Sequence, residues 1–238
     1  MAAFLLIHGS WHGAWCWERL VPLLSERGHQ VAAVDLPAHG DDLAPHYRTG
    51  LRSYARRVRN AAGSLKEKPI LVGHSMGGVA ITQAAFDAPH LFSALVYLCA
   101  FVPVAGESLF RLVRRDRQSH VLAHTSFGLA RVGFERTRAQ EIFYEGCSEA
   151  DVHWAIDRLR PEPLWPLLQR VVGRNGIDLP RGYIECTRDR AISIERQRAM
   201  ATRASCQRIA TMEADHSPFL SSPEELALHL HDMAELAD

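Results

Sequence analysis

Residues 70–81 run ILVGHSMGGVAI, an apolar stretch that breaks into glycine, histidine and serine before turning helix-like. A buried strand has no use for Gly73, and a helix start does not need Gly77 and Gly78 together. The spacing Gly73-x-Ser75-x-Gly77 predicts a strand-to-helix turn too tight for side chains at its flanks. A serine on such a turn has its hydroxyl held clear of the sheet. The N–H groups opening the next helix then face a developing oxyanion. Ser75 is the predicted nucleophile, and the Met76 N–H is one predicted oxyanion donor.

Similar apolar runs recur along the chain at 3–8, 30–36, 94–100, 182–187 and, more weakly, 206–211. Together with 69–74 they predict six strands buried on both faces. Helical patterns lie near 15–27, 51–65, 77–87, 192–203 and 223–236, the last opening on Ser222-Pro223-Glu224-Glu225 with Ser222 as its capping serine. Strand–helix alternation predicts an α/β fold, a mostly parallel sheet with helices on both sides. The stretch 104–178 breaks that rhythm, with a helical text, scattered aromatics and no convincing strand. It is far longer than a crossover needs, which predicts an inserted helical cap on a core of 1–103 and 179–238.

The 27 basic residues equal the 27 acidic ones, so no overall field favours nucleic acid or a membrane as partner. The basic run Arg111–Arg117 is expected to be a solvated helix face. The opening MAAFLLIHGS lacks a basic leader, and its apolar run is too short for a signal peptide or a membrane span. Five cysteines, at 16, 99, 147, 186 and 206, show no C-x-x-C spacing and predict free thiols and a cytoplasmic location. A homodimer is compatible with all of this.

A serine at its ordinary pKa needs a base, and the chain has 13 histidines. The expected order is serine, acid, histidine. His216, in the loop EADHSPF between the last strand and last helix, stands at the same end of the sheet as Ser75. His120, His124, His153, His229 and His231 lie in the cap or the last helix, and His74 is expected to point away. The acid should follow the preceding strand, where Asp189 stands just past GYIECT and ahead of a helix. Glu185 lies inside that strand, and Asp215 is too near His216 in sequence to reach its ring easily. The second oxyanion donor is expected from HGSWHGAW (8–15), at the Ser10 N–H, with Gly9 allowing close backbone approach. His8 and His12 have helical spacing but lie on a turn without acid or thiol partners, so no metal is predicted.

Taken together, LLIHGSWHGAWCW, DLPAHG, GHSMGG and DHSPF resemble the α/β-hydrolase superfamily. They are most similar to the branch holding plant hydroxynitrile lyases, plant methylesterases and small bacterial carboxylesterases. The resemblance covers about two thirds of the chain and implies a site without cofactor beneath the cap. Lyases of this branch carry a threonine after the first-strand histidine and a lysine after the catalytic one, where this chain has Gly9 and Ser217. Without the lysine's charge to stabilise departing cyanide, ester hydrolysis is the implied reaction. A cofactor-free oxygenase would carry a second histidine where Met76 stands, and a non-catalytic binding protein would not need a Ser–Asp–His set. The expected substrate is a fairly hydrophobic small-molecule ester, lined by Trp11, Met76, Phe101, Trp154, Trp165 and Phe219.

Overall fold

The computed structural model describes residues 1–174 and 177–237; residues 175, 176 and 238, within the expected cap and core ranges, lie outside it. The chain opens with strand β1 (Ala3–Ile7), helix α1 (Leu20–Glu26), β2 (Gln30–Val34), α2 (Leu51–Ala62), β3 (Ile70–His74), α3 (Gly77–Asp87) and β4 (Ala94–Leu98). After the intervening segment come β8 (Arg181–Cys186), α8 (Ile194–Arg203), β9 (Arg208–Met212), α9 (Pro218–Ser221) and α10 (Pro223–Met233). The six long strands form one sheet in the order β2-β1-β3-β4-β8-β9, with every adjacent pair parallel.

Every residue of β1, β3 and β4 is buried, because helices cover both faces and each strand has two neighbours. The expectation of full burial fails for β2 and β9. Each is an edge strand with one neighbour, and both are only partly covered. The last helix also departs from expectation. It opens through the Ser222 carbonyl, which accepts from the Leu226 N–H at 3.0 Å, while the Ser222 hydroxyl makes no capping bond.

The order of strands positions the site. From β1 the chain moves outward to β2, then returns to the other side of β1 as β3 and continues to β4. The loops after β1 and β3 therefore diverge, leaving a crevice at the carboxyl ends of those two strands. Gly9–Trp11 and Ser75 both stand at that switch point.

The segment between β4 and β8 holds α4 (Leu109–Val113), β5 (Thr125–Phe127), β6 (Arg131–Phe134), α5 (Ala139–Phe143), α6 (Glu149–Arg158), β7 (Glu162–Pro163) and α7 (Trp165–Leu168). It is not purely helical: β5, β6 and β7 make a small antiparallel sheet. Strands of two to four residues are too short to show a period of two, and the proline in β7 speaks against a strand in isolation.

The turn after β3 is as tight as its glycines imply. A Cβ on Gly77 would lie 2.6 Å from the Ile7 carbonyl oxygen, and one on Gly78 would lie 2.3 Å from that of Phe101. These contacts are backbone and cannot swing aside. Gly78→Ala is expected to cost about 3 kcal/mol or more, measured as a lowered midpoint in thermal unfolding; an unchanged midpoint would show that the turn can widen.

Candidate active site

Ser75 sits at φ +52°, a left-handed conformation that costs a non-glycine residue about 1–3 kcal/mol and persists only where surrounding structure enforces it. Its N–H donates to the Leu98 carbonyl, and its own carbonyl accepts from Phe101 and Gly78 at 3.1 Å each. Those bonds lock the turn from β4 and α3 and leave the side chain to line a cavity of about 600 Å³, mouth included.

His216 lines the same cavity. Its Nδ1 donates to Asp189 Oδ2 at 2.7 Å, with both side chains buried. Because the carboxylate can only accept, Nδ1 carries the proton and the other ring nitrogen is left as an acceptor. Asp189 is itself held: Oδ1 accepts from the Ala191 and Ile192 N–H groups, and Oδ2 also accepts from Gln197 Nε2 at 3.3 Å. The rival acids are occupied elsewhere. Glu185 forks onto Arg198, and Asp215 accepts from the Gly146 and Ser217 N–H groups and the Ser221 hydroxyl.

The Gly9–Ser10–Trp11 loop lies hard against the serine turn; a Cβ on Gly9 would come within 2.9 Å of the Ser75 Cβ. Two histidines orient its peptides. His8 Nε2 accepts from the Leu36 N–H, so its Nδ1–H donates to the Gly9 carbonyl at 2.8 Å. His12 Nε2 accepts from the Tyr144 hydroxyl, so its Nδ1–H donates to the Ser10 carbonyl at 2.7 Å. In a trans peptide the N–H points opposite the C=O, so holding the Gly9 carbonyl aims the Ser10 N–H away from His8. Among the described residues neither the Ser10 nor the Met76 N–H has an acceptor. Burial pulls His8 and His12 down to about 3, so both rings stay neutral. With both nitrogens of each ring engaged, they are not arranged to bind a metal.

Trp11, also strained at φ +61°, is held from the intervening segment. Its indole N–H donates to the Val132 carbonyl at 3.1 Å, and its own carbonyl accepts from the Arg160 N–H at 3.0 Å.

Among the predicted lining residues, Trp11 and Phe101 face the cavity, but Met76, Trp154, Trp165 and Phe219 do not. Trp154 packs edge-on against Trp15 with the Arg158 guanidinium over its ring. Trp165 is 46% exposed on the outer side of α7, and Phe219 is buried beneath His74 and Trp17. The lining comes instead from Phe110, Phe127, Phe143 and Leu167 of the intervening segment. Sequence reasoning also missed three supports, at His74, Cys99 and Gln197, and the buried carboxyl of Glu162 on the cavity wall. His74 does not simply point away: its Nε2 donates to the His216 carbonyl at 2.8 Å, and Cys99 Sγ donates to the same oxygen. Gln197 Nε2 is the third, through its bond to Asp189. Gln197 stands four residues after the Ser193 cap of α8, the one local signal that it faces the Asp189 loop.

The family model described as "Alpha/beta hydrolase family" matches residues 4–228. The chain belongs to that family. It is 31% identical to salicylic acid-binding protein 2 of Nicotiana tabacum, covering 97% of this chain and 96% of that one. It is 30% identical to methylesterase 7 of Arabidopsis thaliana, covering 98% and 96%. Among solved structures, a pyrethroid hydrolase from Sphingobium faniae superposes with a TM-score of 0.89 at 26% identity, over 98% of this hydrolase and 97% of that one. These relatives agree with the carboxylic ester hydrolase class expected from the sequence. Other relatives are named as chloroplastic, and the hydrolase spans 72% and 56% of the length of two of them. None of its described helices is long and apolar enough to cross a membrane.

Proposed function

We propose that this hydrolase is a serine carboxylesterase that cleaves a fairly hydrophobic ester through an acyl-enzyme on Ser75. The observation that carries this reading is the buried 2.7 Å bond from His216 Nδ1 to a carboxylate anchored by two backbone N–H groups. It leaves the other ring nitrogen basic in the cavity that Ser75 lines. Ser75 Oγ attacks the ester carbon while His216 takes its proton. Asp189 stabilises the imidazolium and keeps its orientation. The oxygen of the tetrahedral intermediate is received by the Ser10 and Met76 N–H groups, neither of which has another acceptor among the described residues. His216 then returns the proton to the leaving alcohol, and water repeats the sequence on the acyl-enzyme.

The segment 104–178 acts as a cap whose apolar residues select the ester. The buried free cysteines favour a reducing compartment, the cytoplasm in our reading. A hydroxynitrile lyase is disfavoured by Ser217, a buried neutral hydroxyl where that activity needs a cation.

A panel of p-nitrophenyl esters, methyl esters and lactones tests the reading. Ser75-dependent turnover of at least one carboxylic ester is expected; turnover of none, with cyanide release from cyanohydrins, would replace it. In the same panel Phe127→Ala, at the cavity, should change relative rates across an acyl-length series by about tenfold, the scale of a few lost methylene contacts. Trp165→Ala should leave that pattern unchanged, since its ring faces solvent. The reverse result would return selectivity to the outer tryptophan.

A further inference from the structure

Glu162 is a carboxyl group inside the apolar cavity that the proposed mechanism does not use. It stands on β7 opposite Val132, is fully buried, and lines the cavity beside Ser10 and Trp11. Its partners define its protonation. His39 Nδ1 lies 3.2 Å from the Pro37 carbonyl, the nearer of its two partners, with the Tyr54 hydroxyl at 3.4 Å. Donation to that carbonyl puts the ring's proton on Nδ1, and burial pulls His39 down to about 4, which keeps the ring neutral. His39 Nε2 is then an acceptor, and the atom facing it at 3.4 Å is Glu162 Oε2. Two acceptors cannot bond, so the carboxyl must supply the hydrogen and Oε1 is left as the carbonyl oxygen. Burial pushes Glu162 up to about 8, consistent with that neutral form. The Ser10 hydroxyl and the Trp11 N–H are near enough to favour the anion, but neither is aligned to hydrogen-bond Oε1.

Oε1 is therefore a buried acceptor without a partner, on the wall of the proposed site. Such an atom is costly to leave unmatched in an apolar surround. Of the other polar side chains on that wall, Thr125 is committed to the Val121 carbonyl, His12 to Ser10 and Tyr144, and His216 to Asp189, while His74 Nδ1 is a second buried atom without a partner. We propose that Glu162 is a specificity-determining residue whose Oε1 accepts a hydrogen bond from a hydroxyl on the acyl part of the substrate, close to the scissile carbonyl. The closeness follows from Glu162 standing against the loop that carries the Ser10 N–H. The preferred substrate class is thus a hydroxy-acid ester with an apolar tail. This rests on the reading of Ser75 as an esterase nucleophile.

The test compares kcat/KM for methyl hexanoate and the separate enantiomers of methyl 2-hydroxy- and 3-hydroxyhexanoate. Wild type should prefer at least one hydroxy ester by about tenfold, because the parent ester leaves Oε1 unpaired. Glu162→Gln keeps the acceptor oxygen and offers an N–H to His39, so it should retain the preference. Glu162→Met, or Glu162→Leu should that variant not fold, should bring the ratio near one. A wild-type ratio near one for every hydroxy ester, or a preference surviving in the apolar variants, would overturn the proposal. Loss of preference in Glu162→Gln as well would overturn the neutral-acid form. Calorimetric binding of the same esters to Ser75→Ala gives the contact without turnover. If wild type hydrolyses none of them, the wider ester panel decides the esterase reading, while the binding ratio still decides the role of Glu162.

Discussion

Ser75→Ala is expected to lower ester turnover by about 10⁴-fold or more, since no other group in the cavity replaces a lost nucleophile. The fold should survive the change. The Ser75 backbone is held by bonds to Leu98, Phe101 and Gly78 that do not involve its hydroxyl. Alanine at φ +52° is no more strained than serine there. Turnover on one p-nitrophenyl ester, with circular dichroism as the folding control, checks this. Activity within about tenfold of wild type would remove Ser75 from the mechanism.

Asp189→Asn should lower turnover by about 10⁴-fold while leaving folding and substrate binding near wild type. The structure supplies the reason. Asn can keep its oxygen where Oδ1 accepts from the Ala191 and Ile192 N–H groups. Its NH₂ then faces His216 Nδ1, where the carboxylate oxygen stood at 2.7 Å. A donor opposite Nδ1 forces the proton to the other ring nitrogen, and the base is lost. Glu185→Gln touches the fork with Arg198, a side chain that is 59% exposed, and a bond from the Thr211 hydroxyl that the amide oxygen can still accept, so it should hold turnover within about twofold. Asp215→Asn weakens a buried carboxylate's bonds to Gly146, Ser217 and Ser221, so it should lower stability by about 1–2 kcal/mol and turnover far less than Asp189→Asn. A nearly active Asp189→Asn beside a dead Asp215→Asn would reassign the acid.

Much of the fold and the positions of Ser75, Asp189 and His216 were legible because local chemistry encodes them. Gly73, Gly77 and Gly78 are required by backbone contacts within one turn, and that requirement is written in consecutive residues. Apolar runs bounded by helical patterns announce a parallel sheet, and the shared strand direction sends every such loop to one end. Chain order then narrows 13 histidines to one. Burial at the edges was not legible, because β2 and β9 have the same apolar text as the central strands and differ only in neighbours.

What tertiary structure alone decided is the wall of the cavity. Trp154 and Trp165 have the composition of a binding aromatic, yet the docking of α6 and α7 turns one onto Trp15 and the other to solvent. Phe127 lies on a three-residue strand, too short for any period to declare which way it faces. Glu162 offers no local sign at all. Its meaning comes from His39, 123 residues earlier, and from burial that only the folded chain imposes. A turn is determined by residues that are neighbours in sequence, and so is visible there. A side chain's partners and protonation depend on segments brought together by packing, and the one-dimensional pattern carries no record of which segments those are.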